Sequence, residues 1–357
     1  MIPGPVTVAP DVRHALSEPV RSHTSAATAA TLRRVEEGLR VVVGGESARV
    51  YVFAGAGTLA MEVALVNHAR PGDRIVVVSH GYFGDRFAEI AEVHGLDVEV
   101  VGAPWGTAVE PAAVAAACAR GRRPAVVTVT HVDTSTGVLA DVPALAAAAA
   151  HPDTLVVLDG VCATGGVEEA MDAWGVDVVL TGAQKALALP PGLAILASGA
   201  RGRARRAGLG PVRSYYGDLA RWDRVLDDPG AYFSTHATGM LRALEVSLDA
   251  VLSEGMPARA ERHRRLATRL RDGMGEMGFG SLTDPGCLAP TLSVLESPAG
   301  VDDATLRAGM ARAGVVVAGC LGPFAGRGIR VGHMGGVTDA DIDRTLAAAA
   351  EALEAAR

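Results

Sequence analysis

Four stretches of this chain place residues that could do chemistry at the ends of apolar runs. Gly55-Ala56-Gly57-Thr58 opens a helix-like segment, Thr58–Asn67. Small residues let a ligand approach the backbone closely, and the free N–H groups of a helix start favour an anion. A phosphate bonded to the Thr58 hydroxyl and nearby amides would fit, and so would a simple capped turn. No Gly-Lys-Thr/Ser follows, which excludes a P-loop, and Ala60 stands where a dinucleotide motif needs its third glycine. Asp159 comes directly after the apolar run Leu155–Leu158. A carboxylate at the mouth of a buried strand needs a cation or hydrogen-bond donors. A protonated pyridine nitrogen would serve, keeping that ring an electron sink; capping of the following turn is the plainer reading. Lys185 stands between Val176–Thr181 and the apolar Ala186–Leu196. Desolvation there favours a neutral, imine-forming amine, and a lysine reaching to the surface is the alternative. His131-Val132-Asp133-Thr134-Ser135-Thr136-Gly137 ends another apolar run. Its hydroxyls could bond a ring oxygen or stabilise their own turn.

These residues need elements to position them. Ile75–Val78, Val98–Val101, Ala125–Thr130, Leu155–Leu158, Val176–Thr181 and Leu193–Ala197 read as short buried strands. Thr58–Asn67, Phe83–Val93, Val109–Arg120 and Pro143–Ala150 read as helices between them. The alternation predicts a largely parallel sheet covered on both faces, with ligands collecting beyond the carboxyl ends of its strands. After Tyr232 the rhythm changes. Long helices are expected over Thr238–Leu252, Met256–Met277 and Asp339–Ala356, with strands at Thr291–Leu295, Val315–Val317 and Gly328–Val331. The division that follows is an amino-terminal arm over 1–14, a large domain over 15–254 and a small domain over 255–357, joined near Gly255.

The chain has 357 residues, 49% hydrophobic and 20% charged, the profile of a globular protein large enough for two packed domains. A net charge of −7 with both signs interspersed argues against nucleic acid or an acidic membrane as partner. Cys118, Cys162, Cys287 and Cys320 show no ligand or pairing spacing, so buried thiols are expected, with neither metal nor disulfide. The apolar Leu187–Ala200 is interrupted by Pro190, Pro191 and Gly192 and is too short to cross a membrane. No secretory signal is visible at Met1–Pro10, and a cytoplasmic location is expected.

Six motifs fall in one order: Gly55–Asn67 with Pro71-Gly72-Asp73, His80-Gly81-Tyr82-Phe83-Gly84, Asp133–Gly137, Asp159–Gly166, Gln184-Lys185 with Pro190-Pro191-Gly192, and Arg330-Val331-Gly332-His333-Met334-Gly335. In that order they resemble the class V aminotransferases, pyridoxal 5'-phosphate (PLP) enzymes of fold type I, in the alanine–glyoxylate and serine–pyruvate branch. The resemblance runs from Pro3-Gly4-Pro5 to the last helix. It implies a mostly parallel seven-stranded sheet between helices, with a smaller C-terminal α+β domain. It also implies roles. Lys185 would be the Schiff-base lysine and proton shuttle, and Asp159 would pair with the pyridinium nitrogen. Phe83 would stack on the ring and Thr134 would lie near its oxygen. Ala56, Gly57, Thr58 and Gln184 would hold the phosphate. Tyr232 and Thr235 would reach it from the neighbouring subunit of a homodimer. Arg330 would grip the substrate carboxylate, a task that suits a guanidinium fork.

Departures bear on specificity. Arg21-Ser22-His23-Thr24 only partly matches the family's stretch, and His236 stands where relatives usually carry proline. Both could reshape the substrate pocket. The activity expected is transfer of an amino group from an alanine- or serine-type donor to a 2-oxo acid such as glyoxylate or pyruvate. A desulfurase-type lyase would instead need a reactive cysteine, for which Cys320 is the candidate. A 2-aminophosphonate transaminase would want a second cation, which Arg201–Arg206 could offer. A PLP-binding regulator without catalysis is the non-enzyme alternative.

Overall fold

Runs of valine and leucine that bury both faces can lie only inside a sheet covered on both sides. The computed structural model describes residues 1–356, and its larger sheet has seven strands: β1 (Arg49–Gly55), β2 (Arg74–Ser79), β3 (Asp97–Gly102), β4 (Val126–Thr130), β5 (Leu155–Asp159), β6 (Val178–Gly182) and β7 (Gly192–Ser198). Their order is β1-β7-β6-β5-β4-β2-β3. From β3 to β6 every pairing is parallel, whereas β7 runs antiparallel to both β6 and β1. The loop Ala183–Pro191 between β6 and β7 is too short to carry a crossover helix, so the chain must turn back.

The expected strands recur with shifted ends, and β1 is the one the pattern did not announce. Its Val50 and Val52 pack into the core on one face, its Tyr51 and Phe53 into the core on the other. Helices Ala26–Val43 and Thr238–Glu254 cover the first face; helices Gly57–His68 and Tyr82–Val93 cover the second.

A second, antiparallel sheet contains β8 (Gly280–Ser281), β9 (Leu292–Glu296), β10 (Ala318–Gly319) and β11 (Gly328–Gly332), in the order β10-β11-β9-β8. Leu270, Met310 and Ile342, from helices Met256–Glu276, Asp303–Arg312 and Asp339–Ala356, pack on its Ile329 and Val331. The strand expected at Val315–Val317 is not there. Gly314 takes φ +83° at the end of its helix and Val315 N returns to Met310 O (2.9 Å), so pairing begins only at Ala318. Among the described residues no helix is long and apolar enough to cross a membrane.

Strands β2, β4, β5 and β6 end side by side at Ser79, Thr130, Asp159 and Gly182. Everything singled out for chemistry in the large sheet lies along that edge.

Candidate active site

Ala56, Gly57, Thr58, Phe83, Thr134, Asp159, Gln184 and Lys185 line a single cleft of about 300 Å³. They arrive from five places: the turn after β1, the start of helix Tyr82–Val93, the loop after β4, the end of β5 and the loop after β6. The helix Gly57–His68 follows β1, and no side chain caps its first turn. Its N–H groups are therefore available to an anion. A Cβ on Gly57 would sit 2.9 Å from Val161 Cγ2, so glycine is needed for the close approach of this turn to the loop after β5. Gln184 Oε1 is buried without a partner, an unusual cost unless a ligand meets that carboxamide.

Asp159 is buried and, among the described residues, takes a single hydrogen bond, from Val161 N (2.9 Å). Burial pushes its carboxyl up from 3.8 to about 7; the Val161 N–H opposes this, the nearby Asp133 adds to it, and Lys185 opposes it. Asp133 is treated differently. It accepts from Phe83 N (3.0 Å), Gly84 N (3.3 Å), Ser135 N (2.8 Å) and Ser135 Oγ (2.5 Å). Those bonds tie the start of helix Tyr82–Val93, and with it Phe83, to the loop that carries Thr134.

Arg330 lies on β11, outside the lining but joined to it. Its Nη1 donates to Thr134 O (3.1 Å) and its Nε to Gly319 O (2.8 Å), while Nη2 has no protein partner among the described residues. Burial lowers its pKa from the ordinary guanidinium value. Lys185 is buried and its Nζ donates to Pro3 O. Lys185 is the only lysine of the chain, among 33 lysine and arginine residues. A surface role for it, one among many interchangeable cations, is hard to sustain.

Tyr232 and Thr235 do not join this cleft. They are exposed, bond to each other (3.3 Å), and Tyr232 packs on His23 with ring centroids 4.7 Å apart. His236 is buried against Trp222 (4.8 Å), so it fills core space and does not line the cleft. Cys320 is buried, and burial pushes its thiol up to about 11, the opposite of what a nucleophile needs. Arg201 pairs with Asp177 (3.2 Å) and Arg206 with Asp218, and neither lines the cleft.

Residues that the motifs did not single out also contribute. Gly4 and Pro5 form part of the wall, with Met61 and Cys162. Arg86 places its guanidinium 4.8 Å from the Phe83 ring centroid and 5.1 Å from that of Tyr82. The three-residue step from Phe83 to Arg86 puts both on one helix face, a signal the sequence did contain. Behind Asp159, Glu169 bridges His131 Nδ1 (3.0 Å) and Thr164 Oγ1 (2.9 Å), all buried.

The family model for aminotransferase class V matches residues 13–317. An L-aspartate–glyoxylate aminotransferase of Paracoccus denitrificans is 32% identical over 95% of this chain and 87% of its own length. Alanine–glyoxylate aminotransferase 1 of Saccharomyces cerevisiae is 33% identical over 94% of this chain and 91% of its own. Among solved structures, a ureidoglycine–glyoxylate aminotransferase from Bacillus subtilis superposes with a TM-score of 0.96 at 30% identity, covering 100% of this chain and 92% of that one. Matches of this extent, on a cleft of this composition, make the chain a member of the class V aminotransferases, pyridoxal-phosphate enzymes of fold type I.

Proposed function

We propose that this aminotransferase takes the amino group of a small amino acid, of the alanine or serine type, and gives it to a 2-oxo acid such as glyoxylate or pyruvate, in two half-reactions of ping-pong order. The relatives support the acceptor more than the donor: five of them are named for glyoxylate, with aspartate, ureidoglycine, serine and, in two, alanine as their donors. The observation that carries the reading is the convergence of the only lysine with the under-bonded Asp159 in one cleft.

The residues present fit PLP. Thr58, the N–H groups of the helix start and the amide N–H of Gln184 suit its phosphate. Phe83 offers a face for the ring, Thr134 a hydroxyl for its oxygen, and Asp159 an anion for its nitrogen. Bound there, PLP supplies an electron sink for the electrons left at the substrate α-carbon. Lys185 would carry the cofactor on Nζ and, once released, take the α-proton as a neutral amine. Arg330 would hold the substrate carboxylate with the guanidinium edge that Thr134 and Gly319 leave unused, fixing the α-carbon within reach of Nζ.

Tyr232 and Thr235 would complete the phosphate site of a neighbouring subunit, so the active species would be a homodimer. We further read Gly255 as the joint between a large and a small domain, and the cytoplasm as the compartment. The lyase reading loses support with the buried thiol of Cys320. The aminophosphonate reading loses support with the arginines engaged elsewhere.

The test is an absorbance titration of PLP-loaded protein with alanine, serine, glycine, aspartate, 2-aminoethylphosphonate and cysteine, without a 2-oxo acid. One donor is expected to bleach the visible band, and glyoxylate to restore it. Lys185→Ala should lack that band. A band unchanged in Lys185→Ala defeats the lysine assignment, and a wild-type band that no donor alters defeats the choice of donors.

A further inference from the structure

The start of the chain is built into the cleft from two sides. On one side Lys185 Nζ donates to Pro3 O, and Val6 N donates to Gln184 O (3.1 Å). On the other, Gly332 N, two residues beyond Arg330, donates to Met1 O (2.8 Å). The fit leaves no slack. A Cβ on Gly332 would lie 2.5 Å from Ile2 O and 2.6 Å from Pro3 Cα. A Cβ on Gly4, which takes φ +99°, would lie 2.5 Å from Lys185 Cδ and 2.9 Å from its Cε. Pro3 itself is buried. One short segment thus touches both the amine that must react and the strand that carries the carboxylate-binding arginine.

We infer that Ile2–Pro5 is a positioning segment of the active site: the Pro3 carbonyl aims the Lys185 amine whenever that amine is free, and the seat of the segment on Gly332 sets the span between Lys185 and Arg330. The inference rests on the reading of Lys185 given above. A lysine side chain has many rotamers, and a free amine that wanders is a poor base. One carbonyl accepting one N–H removes most of that freedom and leaves the rest of the nitrogen turned to the cleft. When Nζ takes the substrate's α-proton it becomes an ammonium, and the same carbonyl accepts from it, so the proton can be returned without a search. Misplacement by about 1 Å costs on the order of 100-fold in rate.

Two variants displace the segment from opposite sides. Gly332→Ala pushes on Ile2 and Pro3 and leaves Lys185 untouched; Gly4→Ala pushes on Lys185 itself. Because there is one lysine, trinitrobenzenesulfonate followed by mass analysis of the peptide bearing Lys185 reads its exposure in the apoprotein without ambiguity. Both variants should label at least about 10-fold faster than wild type, with circular dichroism unchanged. Loaded with PLP, both should lose about 10- to 100-fold in single-turnover amino transfer, with the donor KM altered far less. If either variant folds, yet labels and turns over within about twofold of wild type, the positioning role is wrong. Should PLP fail to protect wild-type Lys185 from labelling, the lysine assignment is at fault and the inference falls with it. A failure of the segment alone leaves that protection intact.

Discussion

Replacing Asp159 by Asn should stabilise the apoprotein while disabling the enzyme. The carboxyl sits near 7 in the folded chain against an ordinary 3.8, raised chiefly by burial. Between those values the folded apoprotein keeps a proton that the unfolded chain has lost. Stability therefore declines as pH rises from about 4 to about 7 and is level above that. At about 1.4 kcal/mol per pH unit, the full penalty at pH 8 is on the order of 4 kcal/mol. Asn keeps an acceptor for Val161 N–H and carries no charge, so it should recover most of that. For a chain of 357 residues, unfolding entropy of about 2 cal/mol/K per residue converts 4 kcal/mol to roughly 5 °C in Tm. Differential scanning of PLP-free wild type and Asp159→Asn at pH 8 should show this gain, and at pH 5 well under half of it. With PLP the order reverses in function: amino transfer should drop by about 100-fold or more, because the ring nitrogen loses the anion that keeps it charged. A variant no more stable than wild type at pH 8, or more stable by the same amount at pH 5, would refute the claim that Asp159 is a buried charge waiting for a cation.

Thr58→Ala should weaken PLP binding by about 10-fold or more, the loss of one charge-assisted hydrogen bond, read by fluorescence titration. Arg330→Lys cannot reproduce both bonds to Thr134 O and Gly319 O and still present a flat donor edge. Its kcat/KM for the amino donor should fall about 100-fold with PLP affinity unchanged; a drop under about threefold would remove Arg330 from carboxylate binding. Cys320→Ser should transfer amino groups within about twofold of wild type, since a buried thiol at about 11 has no chemistry to lose. A large loss there would reopen the lyase reading.

The buried strands were legible because four of them announce themselves as valine and leucine runs ending in a polar residue, and those ends became the site. β1 was not picked out, although its Val50, Tyr51, Val52 and Phe53 serve two cores at once as the residues of β2 do. The order β1-β7-β6-β5-β4-β2-β3 is a matter of long-range pairing that no window of sequence contains. Within the site, Asp159 and Lys185 could be found because each follows an apolar run, and Thr58 because it opens a helix after a glycine-rich turn. Pro3, Gly4 and Arg86 could not be placed that way. The first two reach the cleft from the opposite end of the chain, and Arg86 depends on how helix Tyr82–Val93 is rotated about its axis. Asp133 was visible only as one polar residue in a hydroxyl-rich loop. Its work, holding Phe83 N and Gly84 N from another element, is a tertiary contact.

The contrast between the two buried carboxylates shows which residue the site has reserved. Asp133 and Asp159 are both raised by burial, and the nearby Asp133 raises Asp159 further. Asp133 spends its oxygens on three backbone N–H groups and a hydroxyl, bonds that assemble the wall of the cleft. Asp159 has only Val161 N, which leaves most of its capacity open toward the cleft. Lys185 is the one primary ammonium donor the side chains could offer, yet its Nζ is turned to Pro3 O. That amine donates to a backbone carbonyl and makes no hydrogen bond to Asp159 among the described residues, although it lies close enough to oppose the rise of the carboxyl's pKa. A buried carboxylate left this way favours a cation that pairs with it; a protonated pyridine nitrogen would do so, and Lys185 Nζ would then have to leave its present partner, Pro3 O.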